Sequence, residues 1–492
     1  MPRGLAKVFN LTGVWFALGY FLIVWIILSN EALFFPLHPE DQLRVARALG
    51  GDAIPPNTSW ISPLLDRCLA WGAPESTYAR IQVVRRFGVI FSMLGLAVWI
   101  WRSVGWVQGI WVAILAVVFL PNRFVAQTLA PECLSLPLLV WGYALAFGKN
   151  WTKTGTAESV GGGILLGCSA FAAPWGWLFV AAIPLRTLFS AAFRKRLEPS
   201  FWKGLALGLS PGMVWLFAGW ILGSGRDVGL HLETLTAAKV GQVRDLILHA
   251  WGIPFTGLVI LGIWFACKQT HQNRERAIDL TWPLVPAALL GYANPIGTCL
   301  ASPGLILFCW FGLAGIGRIF VSRTEQMLVP TLLAAAFGYY AFFQGLPAVR
   351  AQQLYAQHSA SLANLIQKQV PNGDTIALFR LNPLVGFLNS IPSKVNGQTG
   401  DRWRSIDTQF FLRLPSKRAE AQAMLLGELG SDPVIWIDPA RLREITELGG
   451  KERIAELKDW FETEEFVGEH GVTLLRVVIH SSAVKEPQAE TP

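Results

Sequence analysis

Two adjacent carboxylates stand in the run His38-Pro39-Glu40-Asp41-Gln42-Leu43-Arg44. A carboxylate so placed can remove a proton from a hydroxyl group or orient it for attack. A pair of solvated loop acids, or acids stabilising a helix start, would show the same spacing. A third acid, Glu132, opens an otherwise uncharged apolar stretch in Ala130-Pro131-Glu132-Cys133-Leu134. Pro followed by Glu is an ordinary helix start, whereas an ionisable group at the edge of a membrane helix is costly and marks a functional candidate. Cations stand close by in the chain. Arg123 precedes Glu132, and Arg85-Arg86 precede the apolar run that begins at Phe87. A guanidinium can grip a phosphate with two parallel hydrogen bonds, and it can equally anchor a helix end among lipid headgroups.

Other chemical signals are weak. No HExxH or Walker pattern occurs. Gly161-Gly162-Gly163 lacks the Lys-Ser or Lys-Thr of a phosphate loop and predicts a close helix-packing surface instead. The six cysteines, Cys68, Cys133, Cys168, Cys267, Cys299 and Cys309, form no CxxC and no Cys/His spacing, and the seven histidines are dispersed, so no metal site is predicted. Cys68 and Cys299 both fall on the side assigned below as outer, which leaves a disulfide between them open.

Composition dictates the elements that must carry these groups. Of 492 residues, 52% are hydrophobic and 15% charged, with 22 Trp, 30 Phe and a mean hydropathy of +0.41. Soluble domains carry about 25% charged residues. A disordered chain, a disulfide scaffold and an ordinary cytosolic enzyme are excluded, and an α-helical polytopic membrane protein is predicted. A spanning helix needs ~20 apolar residues. Eleven segments are candidates: Phe9–Leu28, Phe87–Trp101, Gly105–Leu120, Pro131–Phe147, Val160–Ala173, Pro174–Ser190, Gly204–Leu222, Trp251–Cys267, Trp282–Tyr292, Leu305–Phe320 and Met327–Gly345.

With a cytoplasmic N-terminus the inner segments hold 14 basic residues and the short outer loops 4. The positive-inside rule selects this orientation in a cell inner (plasma) membrane. The net charge of +8 then reflects topology, and no nucleic-acid partner is expected. An odd number of spans puts the C-terminal tail outside.

The chain divides into a transmembrane domain, 1–345, and a soluble extracytoplasmic domain, 346–492. The first outer loop, Ser29–Arg86, carries six acids and six bases. Its apolar residues recur at helical spacing in Gln42–Leu49 and Ile61–Trp71, which predicts short helices at the membrane surface. The tail from Leu346 holds 16 basic and 18 acidic residues. Strands are predicted over Thr375–Phe379, Val434–Ile437 and Val472–Val478, and helices over Pro439–Leu448 and Glu452–Phe461, giving a small α/β domain.

One span followed by a long outer loop that opens with an acidic pair resembles the plan of the GT-C glycosyltransferases. The branch it resembles contains the protein O-mannosyltransferases and the lipid A aminoarabinose transferases. Their Asp-Glu, Ala-Arg, Gly-Asp and Pro-Leu landmarks correspond to Glu40-Asp41, Ala46-Arg47, Gly51-Asp52 and Ser62-Pro63-Leu64, and their later acid to Glu132. Two departures stand out. The acidic pair is reversed, and the Lys usual before Pro-Leu is replaced by Trp60-Ile61-Ser62.

The resemblance implies a membrane enzyme that passes a sugar from a polyprenyl-phosphate donor to a protein or glycolipid acceptor on the outer face, with inversion. Asp41, beside Glu40, would serve as base. Glu132 would orient the acceptor or a bound divalent cation, and Arg123, Arg85 and Arg86 would hold the donor phosphate. Three alternatives stay open. A transporter or flippase would place ionisable groups at mid-depth or repeat its halves, and neither is visible here. A non-catalytic scaffold would bind a partner through the tail. An O-antigen-ligase type of GT-C enzyme would use the late loop Gly223–Ala250.

Overall fold

The computed structural model describes residues 11–33, 35–36, 39–50, 61–71, 76–147, 155–173, 176–189, 197, 199–221, 252–268, 272–281, 299–378, 382–391, 402–407, 409–430, 432–439 and 450–480. The candidate span Trp282–Tyr292, the late loop Gly223–Ala250, the Gly51-Asp52 landmark and all but the first residue of the helix expected over Pro439–Leu448 lie outside these residues.

The first span is α1 (Leu11–Asn30). Two loop helices follow it, α2 (Pro39–Gly50) and α3 (Ile61–Ala70), where helical spacing predicts them. Next come α4 (Thr77–Ser103), α5 (Trp106–Val118), α6 (Leu120–Val125) and α7 (Glu132–Phe147). The series continues with α8 (Thr156–Ala172), α9 (Gly176–Phe189), α10 (Pro199–Ile221), α11 (Ile253–Cys267), α12 (Gln272–Thr281) and α13 (Ser302–Gly317). It closes with the 47-residue α14 (Arg323–Gln369), about 70 Å long at 1.5 Å per residue.

Every expected span other than Trp282–Tyr292 falls on one of these helices. Three described helices are both long and apolar enough to cross a membrane: Gly13–Asn30, Thr77–Ser103 and Arg323–Gln369. Trp106–Val118, Glu132–Ala146, Gly176–Leu188, Ile253–Cys267 and Ser302–Gly317 are shorter apolar helices.

Chain contacts separate two units. The first comprises Met1–Ala32, Ile54–Leu69 and Ala79–Arg350, and the second Leu33–Ala53, Ala70–Tyr78 and Ala351–Pro492. The division after Arg350 lies near the 345/346 boundary expected from composition. The segment Ser29–Arg86, however, is shared between the units: α3 up to Leu69 belongs to the first, and α2 to the second.

Within the first unit, α8 packs on both α7 and α10. The glycine run makes this possible. A Cβ on Gly162 would meet the Ala146 backbone at 2.5 Å, and one on Gly163 would meet the Phe201 backbone oxygen on α10 at 2.5 Å. Small residues let backbones approach where lipid supplies no hydrophobic drive between helices. The six cysteines are free, and the pairing left open for Cys68 and Cys299 is absent: Cys68 is exposed and Cys299 buried.

Within the second unit, α14 leads into β1 (Thr375–Ala377), α15 (Asn382–Ser390), β2 (Arg404–Ile406), α16 (Gln409–Leu412), α17 (Arg418–Leu429), β3 (Val434–Ile437), α18 (Gly450–Trp460), β4 (Glu462–Val467) and β5 (Thr473–Val478). The strands form one sheet in the order β2-β1-β3-β5-β4. β1 pairs parallel with β2 and β3, and β5 pairs antiparallel with β3 and β4. Ile435, Ile437, Leu475 and Val477 pack with Leu425 and Leu457 to form its core. Trp436 Nε1 donates to Asp374 Oδ2 at 2.8 Å, so a polar group in the sheet interior is satisfied. β4 is an edge strand with three glutamates, and such charge discourages pairing with a second sheet.

Candidate active site

The sequence candidates fall into two groups, one in each unit. In the first unit the end of α1 gathers cations. Arg123, on α6, places Nε 3.1 Å from Glu31 Oε2, and its Nη2 donates to Glu31 Oε1. Gln127 Nε2 reaches Glu31 Oε2 at 3.4 Å, and Gln82 Nε2 donates to the Gln127 carbonyl at 3.0 Å. The Arg123 guanidinium also lies 4.9 Å from the Phe342 ring centroid. Its side chain is 0% exposed. Burying such a charge is tolerable only with a partner of this quality, since the fork-to-carboxylate geometry offsets lost hydration.

Arg86 comes to the same helix end. Its Nη1 donates to Ser29 Oγ at 3.2 Å, and its charge lies 5.6 Å from the Trp25 ring. Residues 29–31 thus receive two of the three nominated arginines. Both cations also lie where the α1 macrodipole is negative.

Arg85 is turned elsewhere. Its Nη2 donates to Ser62 Oγ at 2.5 Å and Asp66 Oδ1 at 2.6 Å, both on α3. Ser62 and Asp66 are four residues apart and share one helix face, so a single guanidinium meets both. Arg80 Nη1 reaches the Leu69 carbonyl at 3.3 Å, a second tie between α4 and α3. Arg85 Nε and Nη1 and Arg123 Nη1 are buried and make no hydrogen bond among the described residues.

Glu132 is buried in the first turn of α7, after Pro131. Cys299, fully buried just ahead of α13, has its thiol pushed well above the ordinary value, first by burial and then by the Glu132 charge. The acid therefore lies near the start of α13.

In the second unit, Asp41 sits on α2 and is 3% exposed. Arg44 Nη1 lies 2.8 Å from its Oδ1, one helical turn on. Gln42 Nε2 donates to the Pro36 carbonyl at 3.0 Å, which fixes the chain's entry into α2. Glu40 belongs to the same first turn, and its side chain lies outside the described ones.

Sequence reasoning singled out neither Glu31 nor Asp66 as a partner for these arginines. Arg276, which lies between the expected spans Trp251–Cys267 and Trp282–Tyr292, is buried with its charge 4.8 Å from the Trp99 ring. Asp279 on the same helix is buried and lies 2.7 Å from Arg186 Nη1. These pairs are polar ties between α4, α9 and α12. Among the described residues no group of three or more His, Cys, Asp or Glu converges as metal ligands do.

No family model and no curated protein sequence matches the chain. Its fold matches solved structures along nearly its whole length. ArnT from Cupriavidus metallidurans, bound to undecaprenyl phosphate, superposes with a TM-score of 0.56 at 12% identity, covering 96% of this chain and 99% of that one. The apo state of that protein gives 0.57. The archaeal oligosaccharyltransferase AglB from Archaeoglobus fulgidus, in complex with an inhibitory peptide and a dolichol-phosphate, gives 0.55 at 10% identity, covering 96% of this chain and 75% of that one. Both proteins carry the GT-C fold of membrane glycosyltransferases, and the described chain has that fold.

Proposed function

We propose that the protein is a membrane glycosyltransferase that moves a sugar from a polyprenyl-phosphate donor to a protein or glycolipid acceptor on the extracytoplasmic face. The observation that carries this reading is the match in fold, over 96% of this chain, to two proteins whose structures hold polyprenyl-type phosphates. Buried carboxylates in both units and buried arginines in the first support it.

In the proposed reaction Asp41, with Glu40 beside it, accepts the proton of an acceptor hydroxyl. The oxygen attacks the anomeric carbon, the bond from that carbon to the phosphate oxygen breaks, and polyprenyl phosphate leaves with the electron pair. Configuration inverts. Glu132 orients the acceptor. Arg123, Arg85 and Arg86 balance the charge that grows on the phosphate. Such a leaving group is a weak base, so a general acid is not required. The eleven spans, the inner-membrane location, the cytoplasmic N-terminus and the extracytoplasmic tail belong to this proposal.

The test is a radiolabelled transfer assay in membranes supplied with a panel of polyprenyl-phosphate sugars. Transfer from at least one donor is expected. Movement of an intact lipid or solute, with no glycosidic bond made or broken, would replace this reading with a transporter.

A further inference from the structure

We infer that the C-terminal domain is a working part of the site: α15, through Phe387, holds the helix that carries Asp41. This rests on the glycosyltransferase reading for its catalytic consequence, but the anchorage stands on contacts inside the second unit.

α2 has 12 residues, a length at which an isolated helix is marginal in water, so its order must come from tertiary packing. That packing is against α15. The chain just ahead of α2 is pinned to the same helix, because the rings of Phe35 and Phe387 meet edge-to-face at 5.6 Å and 85°. Aromatic pairs favour this geometry.

Asp41, Gln42 and Val45 are buried on α2, while Leu43 points outward. Leu384, Val385 and Leu388 are buried on α15. α15 follows β1, the strand that pairs parallel with both β2 and β3. The path from Asp41 therefore runs through α2 and α15 to a strand paired on both of its sides. Chain contacts agree, since residues 33–53 group with 351–492 and apart from the helices on either side of the loop.

The consequence is positional. The rotation of α2 decides where the Asp41 carboxylate points, and a misplacement of ~1 Å in a reacting group costs about 10²-fold in rate. Phe387 touches no reacting atom in this account and is a positioning residue. The nominated phosphate-binding arginines belong to the first unit. Loosening α15 should therefore lower kcat and leave donor KM in place.

The experiment uses the full-length protein in lipid nanodiscs. Hydrogen exchange is followed over residues 39–50, and transfer is measured with the polyprenyl-phosphate sugar that the wild type accepts. Phe387→Ala is expected to remove exchange protection from 39–50 and to lower kcat about 10²-fold, with donor KM changed less than about twofold. Phe387→Leu should restore much of both. Phe35→Ala attacks the contact from the other side and serves if Phe387→Ala does not fold.

Combining Phe35→Ala with Phe387→Ala should cost no more than either alone, as expected for two residues sharing one contact. Unchanged protection of 39–50 in both single variants, or additive losses in the double variant, overturns the inference. A wild type that transfers no sugar counts against the proposed function alone, because the exchange measurement still decides the anchorage.

Discussion

Glu31 and Asp66 in the first unit and Asp41 in the second are the same chemistry in two kinds of surroundings. All three carboxylates are buried. Glu31 and Asp66 are gripped by arginines distant in the chain, and the side chains of both arginines are 0% exposed. Asp41 is met by Arg44 from its own helix, and that side chain is 24% exposed. The first arrangement fixes where helices and cations stand. The second leaves a carboxylate with a partner that solvent reaches, an environment in which an acid can exchange protons. Burial of an acid therefore does not by itself mark a catalytic group; the catalytic role proposed for Asp41 predicts that the origin and exposure of the arginine partner separate scaffold from chemistry.

Breaking the buried pairs should give the largest changes. Arg123→Ala leaves Glu31 as an uncompensated buried charge and should cost about 3–5 kcal/mol. Thermal unfolding of the purified protein in detergent reads this as a large fall in midpoint, and an unchanged midpoint would remove the contrast between the units. Glu31→Gln keeps the shape and loses the charge, so a fall of about 1.5–3 kcal/mol is expected in the same assay. Replacing Glu31 and Arg123 together by Met should recover most of the loss seen with Arg123→Ala, because neither charge is then left buried. Arg44→Ala should change stability by at most about 1 kcal/mol, since its ion pair is local and partly solvated. A loss as large as that of Arg123→Ala would show that Asp41 is a scaffold acid after all.

Much of the local structure was legible in the sequence. Apolar residues at helical spacing place α2 and α3 to within three residues at each end, and Pro131-Glu132 marks the start of α7. The glycine run reads as a packing surface and is one. Long-range partnership was not legible. Glu31 and Arg123 lie 92 residues apart, and nothing in either neighbourhood names the other.

Glu275, Arg276 and Asp279 give α12 the look of a solvated cytoplasmic segment, yet tertiary packing buries Arg276 and Asp279. β4, with Glu462, Glu464 and Glu465, hides its strand character because an edge strand needs little apolar surface. β2 has only three residues, too short for an alternating pattern to emerge. The grouping of α2 with residues 351–492 comes from its packing against α15, together with the Phe35–Phe387 contact, and no local pattern encodes either.

The most direct test of the central claim compares the wild type with Asp41→Asn in the same membranes, using the donor that supports transfer. The account predicts turnover lowered at least about 10²-fold by this isosteric change, with the unfolding midpoint and donor binding retained. Transfer by Asp41→Asn at the wild-type rate would contradict it.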